Sequence, residues 1–232
     1  MSSSTDDRAA GAILGLACGD ALGPGPGRVR GEWTDGITAA VPILQAAAEG
    51  QPLTHGAAQD ALAARGGTNG TGLDALPRAV PVALAFVQTT GTTGLVRAAT
   101  RLGAQGGADP TGVEACVLLA GAIRHAVRTG ELDLRGGLTL LPEDRRATWA
   151  ALLDEAEATS PSDLPRTGGA AEALQGAWSA VMTTPVPAEL PGTHLRLAIE
   201  AAVGVGGAAI AGALLGARWG ASAIPAARRC SP

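Results

Sequence analysis

The sequence predicts an all-α domain on three observations. Apolar residues recur at helical spacing through most of the chain, helix start signals stand where those periods begin, and no run alternates apolar and polar residues long enough to make a strand. The 232 residues are enough to bury a sizeable core, and a single domain over 1–232 is expected, with only the first and last few residues flexible. Hydrophobic residues at 46% and a net charge of −4 exclude a disordered chain. The 34 glycines and 15 prolines follow no three-residue period, which excludes collagen.

From Ala10, apolar residues fall at Ile13, Leu14, Ala17, Cys18, Ala21 and Leu22, one stripe of a helix over 10–22. Gly11, Gly15, Gly19 and Gly23 line a neighbouring face at four-residue spacing, and Gly212, Gly216 and Gly220 repeat it near the other end. Glycine weakens a helix, so glycines in register imply a groove where another backbone lies close. The helix at 10–22 is therefore expected to pack on a closing helix at 207–219. Further helices are expected at 37–49, 54–65, 77–88, 93–104, 110–129, 142–158, 170–183 and 193–219. The helix at 110 has Asp109 as N-cap and Pro110 in its first position. The one at 142 carries Glu143 and Asp144 at the positive end of its dipole, ahead of Trp149, Leu152 and Leu153. Segments 66–76 and 159–169, rich in Gly, Pro, Ser, Thr and Asp, are expected as loops.

Several function classes drop out on composition. All 17 basic residues are arginine, scattered in a mildly acidic chain with 2% aromatics, which argues against nucleic-acid binding. Cys18, Cys116 and Cys230 are odd in number and far apart, so no disulfide framework or zinc cluster is indicated. No basic segment followed by an apolar run opens the chain, so a cytoplasmic location is expected. The uncharged stretch from Ala201 to Ala217 is short for a membrane span and made of Ala and Gly, so it is expected to be a buried helix and not a span.

Polar residues interrupt the helices at three places: Gly19-Asp20-Ala21-Leu22-Gly23, Glu32-Trp33-Thr34-Asp35-Gly36, and Gly67-Thr68-Asn69-Gly70-Thr71-Gly72 running on to Arg78 and Pro81. Each alone reads as a helix-end turn, an N-cap or a loop. In this order they resemble the ADP-ribosylglycohydrolase family. Arg8 to Gly23 resembles the family's opening helix, Trp33-Thr34-Asp35 the start of its Trp-Thr-Asp-Asp-Thr motif, and Arg78-Ala79-Val80-Pro81 the arginine segment after its glycine-rich loop. Ala211 to Gly220, followed by Ile224-Pro225, resembles the closing helix. The resemblance implies a compact orthogonal helical bundle.

It also implies two magnesium ions, held by carboxylates and hydroxyls, that position the ribose and polarise the bond to be cut. The sequence departs from the family at those ligands. Thr34 and Asp35 remain, but Gly36 and Ile37 stand where the motif has Asp and Thr. The family's loop Glu falls at Gly27, and its Asp-x-Asp-Thr falls within Ala202–Gly207. From Ala201 to Ala211 there is no carboxylate and no hydroxyl. The expectation is that no metal is bound, that no cofactor is needed, and that metal-dependent hydrolysis is lost.

Candidate ligand-binding residues are Asp20, Thr34, Asp35, Asn69 and Thr71, for a nucleotide, another small molecule or a protein partner. Asp20 is also expected to cap or bridge helices. If the pocket has instead been repurposed for metal-independent catalysis near Val203 and Val205, the candidate acid–base groups are Asp20, Asp35 and Asp74, because an apolar cavity raises a carboxyl pKa. An active ADP-ribosyl hydrolase is the third alternative. Glu200 is expected either to form a buried pair with an arginine such as Arg78 or to face solvent. His55, His125 and His194 read as local structure.

Overall fold

The computed structural model describes residues 3–22, 33–51, 53, 72–165, 168–185 and 190–224. Among them the chain is helical throughout and has no strand. The helices are α1 (Ser3–Leu22), α2 (Asp35–Ala48), α3 (Ala79–Ala85), α4 (Thr93–Gln105), α5 (Pro110–Thr129), α6 (Glu143–Ala158), α7 (Ala170–Thr183), α8 (Pro191–Ala202) and α9 (Ala208–Trp219). Short 3-10 turns at Gly72–Arg78, Gly136–Leu140, Pro161–Asp163, Val203–Val205 and Ala221–Ala223 connect them. The expected helix at 54–65 lies outside the described residues.

The middle of the bundle is α5. Asp109 caps it by accepting from the Gly112 N–H at 2.7 Å, Pro110 occupies its first turn, and Gly130 ends it at φ 83°. Leu118, Leu119 and Ile123 are fully buried within it. Removing any one of them would cost about 2–5 kcal/mol, because a close-packed interior cannot fully collapse around the hole.

The pair α1 and α9 closes the chain on itself through glycine. A methyl group on Gly11 would land on the Gly216 carbonyl, one on Gly15 on the Gly212 carbonyl, and one on Gly19 on the Ala208 carbonyl. Each four-residue step forward on α1 is matched by a four-residue step back on α9, so the helices run antiparallel with their backbones in contact. That is the packing expected from the glycine spacing. α1 itself begins at Ser3, earlier than the apolar stripe indicates, and Asp7 near its start accepts from the Ser222 N–H at 3.0 Å.

Other boundaries also differ from expectation. The helix expected over 193–219 is broken between α8 and α9. Gly206 there turns left-handed at φ 70°, and a side chain at Gly207 would strike the backbone of Ala173 and Ala177 on α7. The helix expected from 77 is preceded by a 3-10 turn that begins at Gly72, inside the expected loop, and it ends at Ala85. Pro77 and Pro81 supply no N–H, which favours the tighter turn before α3. Pro142 precedes α6 as its cap residue, with Glu143 and Asp144 following in the first turn.

Two fastenings hold α6 between α5 and α7. The buried Trp149 donates its indole N–H to Glu114 at 2.7 Å, and Arg145 donates to the same carboxylate at 2.7 Å. Trp178 donates to Glu157 at 2.9 Å, and Arg135 donates to Glu157 at 2.9 Å and to Asp154 at 2.6 Å. In both, an indole and a guanidinium share one carboxylate, so each partly buried charge has its donors.

Candidate functional site

The end of α1, the start of α2 and the start of α9 converge. Asp20, in the last turn of α1, is buried at 5% exposure and accepts a 2.8 Å hydrogen bond from the Thr34 N–H. Thr34 caps α2: its Oγ1 accepts from the Ile37 N–H at 3.4 Å, and its carbonyl accepts from the Thr38 hydroxyl at 3.0 Å. The Asp20 carboxylate thus satisfies an N–H at the positive end of α2 and ties two helices together. This is the bridging role anticipated for it. Gly19, its neighbour, lies against Ala208 at the start of α9. Asp35, the first residue of α2, is half-buried beside this junction, and Trp33 just before it is 43% exposed.

The turn at Gly72–Arg78 forms the next wall. A methyl on Gly36 would stand 2.8 Å from Pro77 Cγ and 3.6 Å from the Asp74 Cα, so α2 meets this turn where Gly36 has no side chain. Arg78, fully buried, leads from the turn into α3. Burial lowers the pKa of its guanidinium, and the nearby Asp74 carboxylate and Cys116 act in the opposite sense. A methyl on Gly106 would come within 3.1 Å of Arg78 Nη1. The Cys116 thiol, buried against this cation, is pushed up to about 12 by desolvation. A thiol in that state is a small apolar group and not a nucleophile.

The structure therefore brings Asp20 and Thr34 into direct contact, sets Asp35 next to them, and places the Asp74 backbone across Gly36. Asn69 and Thr71 lie outside the described residues. Glu200 takes the solvent-facing alternative: its side chain is 51% exposed and pairs with Arg196 one turn away at 2.9 Å. Val203 is exposed at the break between α8 and α9, and Val205 packs its methyls where a side chain at Gly176 of α7 would be. His125 lies in the last part of α5 and is partly buried. His194 is half-buried, with Nε2 3.1 Å from the Val181 carbonyl. Burial holds its pKa below the ordinary value; the Val181 bond opposes this and the Arg218 charge adds to it. Sequence reasoning missed the Gly36–Pro77 contact and both indole–carboxylate–guanidinium fastenings, whose partners lie far apart in the chain.

Among the described residues, no group of three or more His, Cys, Asp or Glu side chains is placed to hold a metal ion, and no helix is long and apolar enough to cross a membrane. An all-α bundle closed by its first and last helices, with an acid-bearing junction at the start of its second, defines the class of protein. The ADP-ribosylglycohydrolase family model matches residues 48–230, and the chain belongs to that family. The match begins beyond Trp33-Thr34-Asp35. A solved structure titled "ADP-ribosylglycohydrolase-related protein complex" extends the likeness in fold to the whole chain. It has a TM-score of 0.68 and 24% identity, and the alignment covers 98% of this chain and 92% of that one. No curated protein matches the chain.

Proposed function

We propose that this member of the ADP-ribosylglycohydrolase family has lost metal-dependent hydrolysis and works by binding a nucleotide, another small molecule or a protein partner. The observation that carries the reading is the packing at Gly36. The position that holds an aspartate in the family's motif is a glycine here, and its Cα faces Pro77 too closely for any side chain to leave it without displacement. The absence of carboxylates and hydroxyls from Ala201 to Ala211 supports it from the other side of the junction. Magnesium gives up its water reluctantly and needs several oxygen ligands, which Asp35 alone does not supply.

Two magnesium ions therefore do not fit these residues. What remains is a recognition surface. Asp35 offers acceptor oxygens at the positive end of α2, and Trp33 offers an exposed aromatic face on which a planar group can stack. Asp20 fixes the junction and contributes geometry, since its carboxylate already serves the Thr34 N–H.

The test is incubation with ADP-ribosyl-arginine at millimolar magnesium. No ADP-ribose should be released. Magnesium-dependent release that Asp35→Ala abolishes would overturn the proposal.

A further inference from the structure

Charge is distributed unevenly along this chain. Its net charge is −4, yet between Asp74 and Asp109, and again between Glu114 and Glu131, the sequence has no acid. Two arginines of the second interval are brought together between the end of α3 and the end of α5. Arg124 donates through Nε to the Phe86 carbonyl at 2.8 Å and through Nη2 to the Thr89 carbonyl at 2.5 Å. Arg128 donates through Nη1 to the same Thr89 carbonyl at 3.4 Å. Sharing that oxygen holds the two guanidiniums no more than about 6 Å apart, nitrogen to nitrogen. A third cation, Arg8 of α1, sits on the last turn of α5, donating to the Val127 carbonyl at 2.9 Å and the Arg128 carbonyl at 3.2 Å.

Arg135, Arg145 and Arg196 pair with carboxylates, whereas these three arginines bond to carbonyl oxygens, whose partial charge leaves the cations unneutralised. The acids of adjoining segments are otherwise placed. Asp7 accepts from the Ser222 N–H, Asp133 accepts from the Gly136 N–H at 2.6 Å, and Asp6 and Glu131 are exposed. Burial, and after it the Arg128 charge, lowers the pKa of the Arg124 guanidinium, as like charges held together require. The bonds described occupy two of the five N–H donors of Arg124 and one of those of Arg128. Arg128 and the turn at 89–91 are exposed, so a ligand can reach the pair. We infer that Arg124 and Arg128 form a binding site for the phosphate group of a small ligand, whose oxygens accept from both guanidiniums. Two forks at this spacing suit an acceptor with three oxygens and up to two negative charges, which a phosphate ester has and a carboxylate lacks. The net charge of −4 and the exposed Asp6 and Glu131 oppose an anionic lipid surface as the source of that phosphate. Arg8 stands twelve residues before Asp20 on α1, about 18 Å along the helix. The site is therefore separate from the α1–α2 junction, and the inference does not rest on the function proposed there.

The probe is inorganic phosphate, followed on the 15N-labelled protein by its arginine Nε–H signals, with those of Arg124, Arg128 and Arg196 assigned from Arg124→Lys, Arg128→Gln and Arg196→Gln. Phosphate should move the Arg124 and Arg128 signals saturably and leave that of Arg196, paired with Glu200, in place. Glycerol phosphate should act likewise, and acetate should bind more weakly. Arg128→Gln removes an exposed side chain with one long bond, so it should melt like the parent. Read on the Arg124 signal, it should weaken phosphate about tenfold or more, the loss expected for a charge-assisted pair. Arg128→Lys, which keeps the charge and loses the fork, should weaken it by less. Arg124 and Arg128 signals that phosphate leaves unmoved overturn the inference. So does a response that chloride reproduces at equal ionic strength, or one that survives intact in Arg128→Gln. Sedimentation with phosphatidic acid vesicles, without a response to either small phosphate, overturns it as well.

Discussion

The two halves of the bundle are joined by opposite means. Around α6, long side chains reach across the gaps, and the carboxylates of Glu114 and Glu157 are each taken up by an arginine and a tryptophan. Between α1 and α9, glycines at four-residue spacing let one backbone rest on the other. The α1–α2 junction shares the second habit: Gly36 meets Pro77 bare, and Asp20 serves a backbone N–H. The first half spends its acids on holding helices together. The second half is joined by close backbone approach at glycine.

The largest effect should come from refilling the glycine seam. Gly15→Leu or Gly212→Leu drives a side chain into the facing carbonyl and should destabilise the protein by about 3 kcal/mol or more, or prevent folding, because neither backbone can retreat without opening the bundle. Gly91→Ala, where a methyl meets nothing within 4 Å, is the control and should melt like the parent. Chemical denaturation measures both. If Gly15→Leu and Gly91→Ala behave alike, the contrast between the halves is wrong.

Breaking the other half should cost less. Glu114→Ala leaves the buried Trp149 N–H without its acceptor and should cost about 1–3 kcal/mol by urea denaturation. This fastening also has a pH signature. Desolvation pushes the Glu114 carboxyl up, but hydrogen bonds from Arg145 and Trp149 and the Arg145 charge outweigh it and hold it below the usual range. Its stabilisation is complete above the unfolded carboxylate value of about 4 and is lost as pH falls through the depressed folded one. The stability gap between parent and Glu114→Ala should therefore be constant near neutrality and narrow below about pH 4.

Gly36→Ala should cost about 1–2 kcal/mol, since its methyl meets the Pro77 ring at 2.8 Å. Gly36→Asp should cost more than Gly36→Ala and restore no magnesium affinity. Adding an acid at Val205 would not help, because that side chain faces Gly176 of α7. The smallest effect belongs to Glu200→Ala, which removes a solvent-exposed pair one helical turn long and should change stability by under about 0.5 kcal/mol.

Most of the fold was legible because its signals are local. The four-residue glycine spacing on two helices announced their contact, and Asp109-Pro110 marked the start of α5. The break at 203–207 was not legible. Its Ala, Val and Gly residues keep helical spacing, and what ends the helix is the left-handed Gly206 together with the approach of Gly207 to α7. At the candidate site, the Asp20–Thr34 link could be anticipated, since both stand at helix ends close in the chain. The Gly36–Pro77 contact and the pairing of Arg145 with Glu114 join residues more than thirty positions apart that no spacing rule connects.

On the proposed function, the junction of α1, α2 and the 72–78 turn is a binding surface that holds no magnesium. Calorimetric titration of the folded protein with magnesium chloride tests it most directly. No saturable heat is expected, with parent and Asp35→Ala giving the same trace. Saturable binding of two ions per chain, lost in Asp35→Ala, would contradict it.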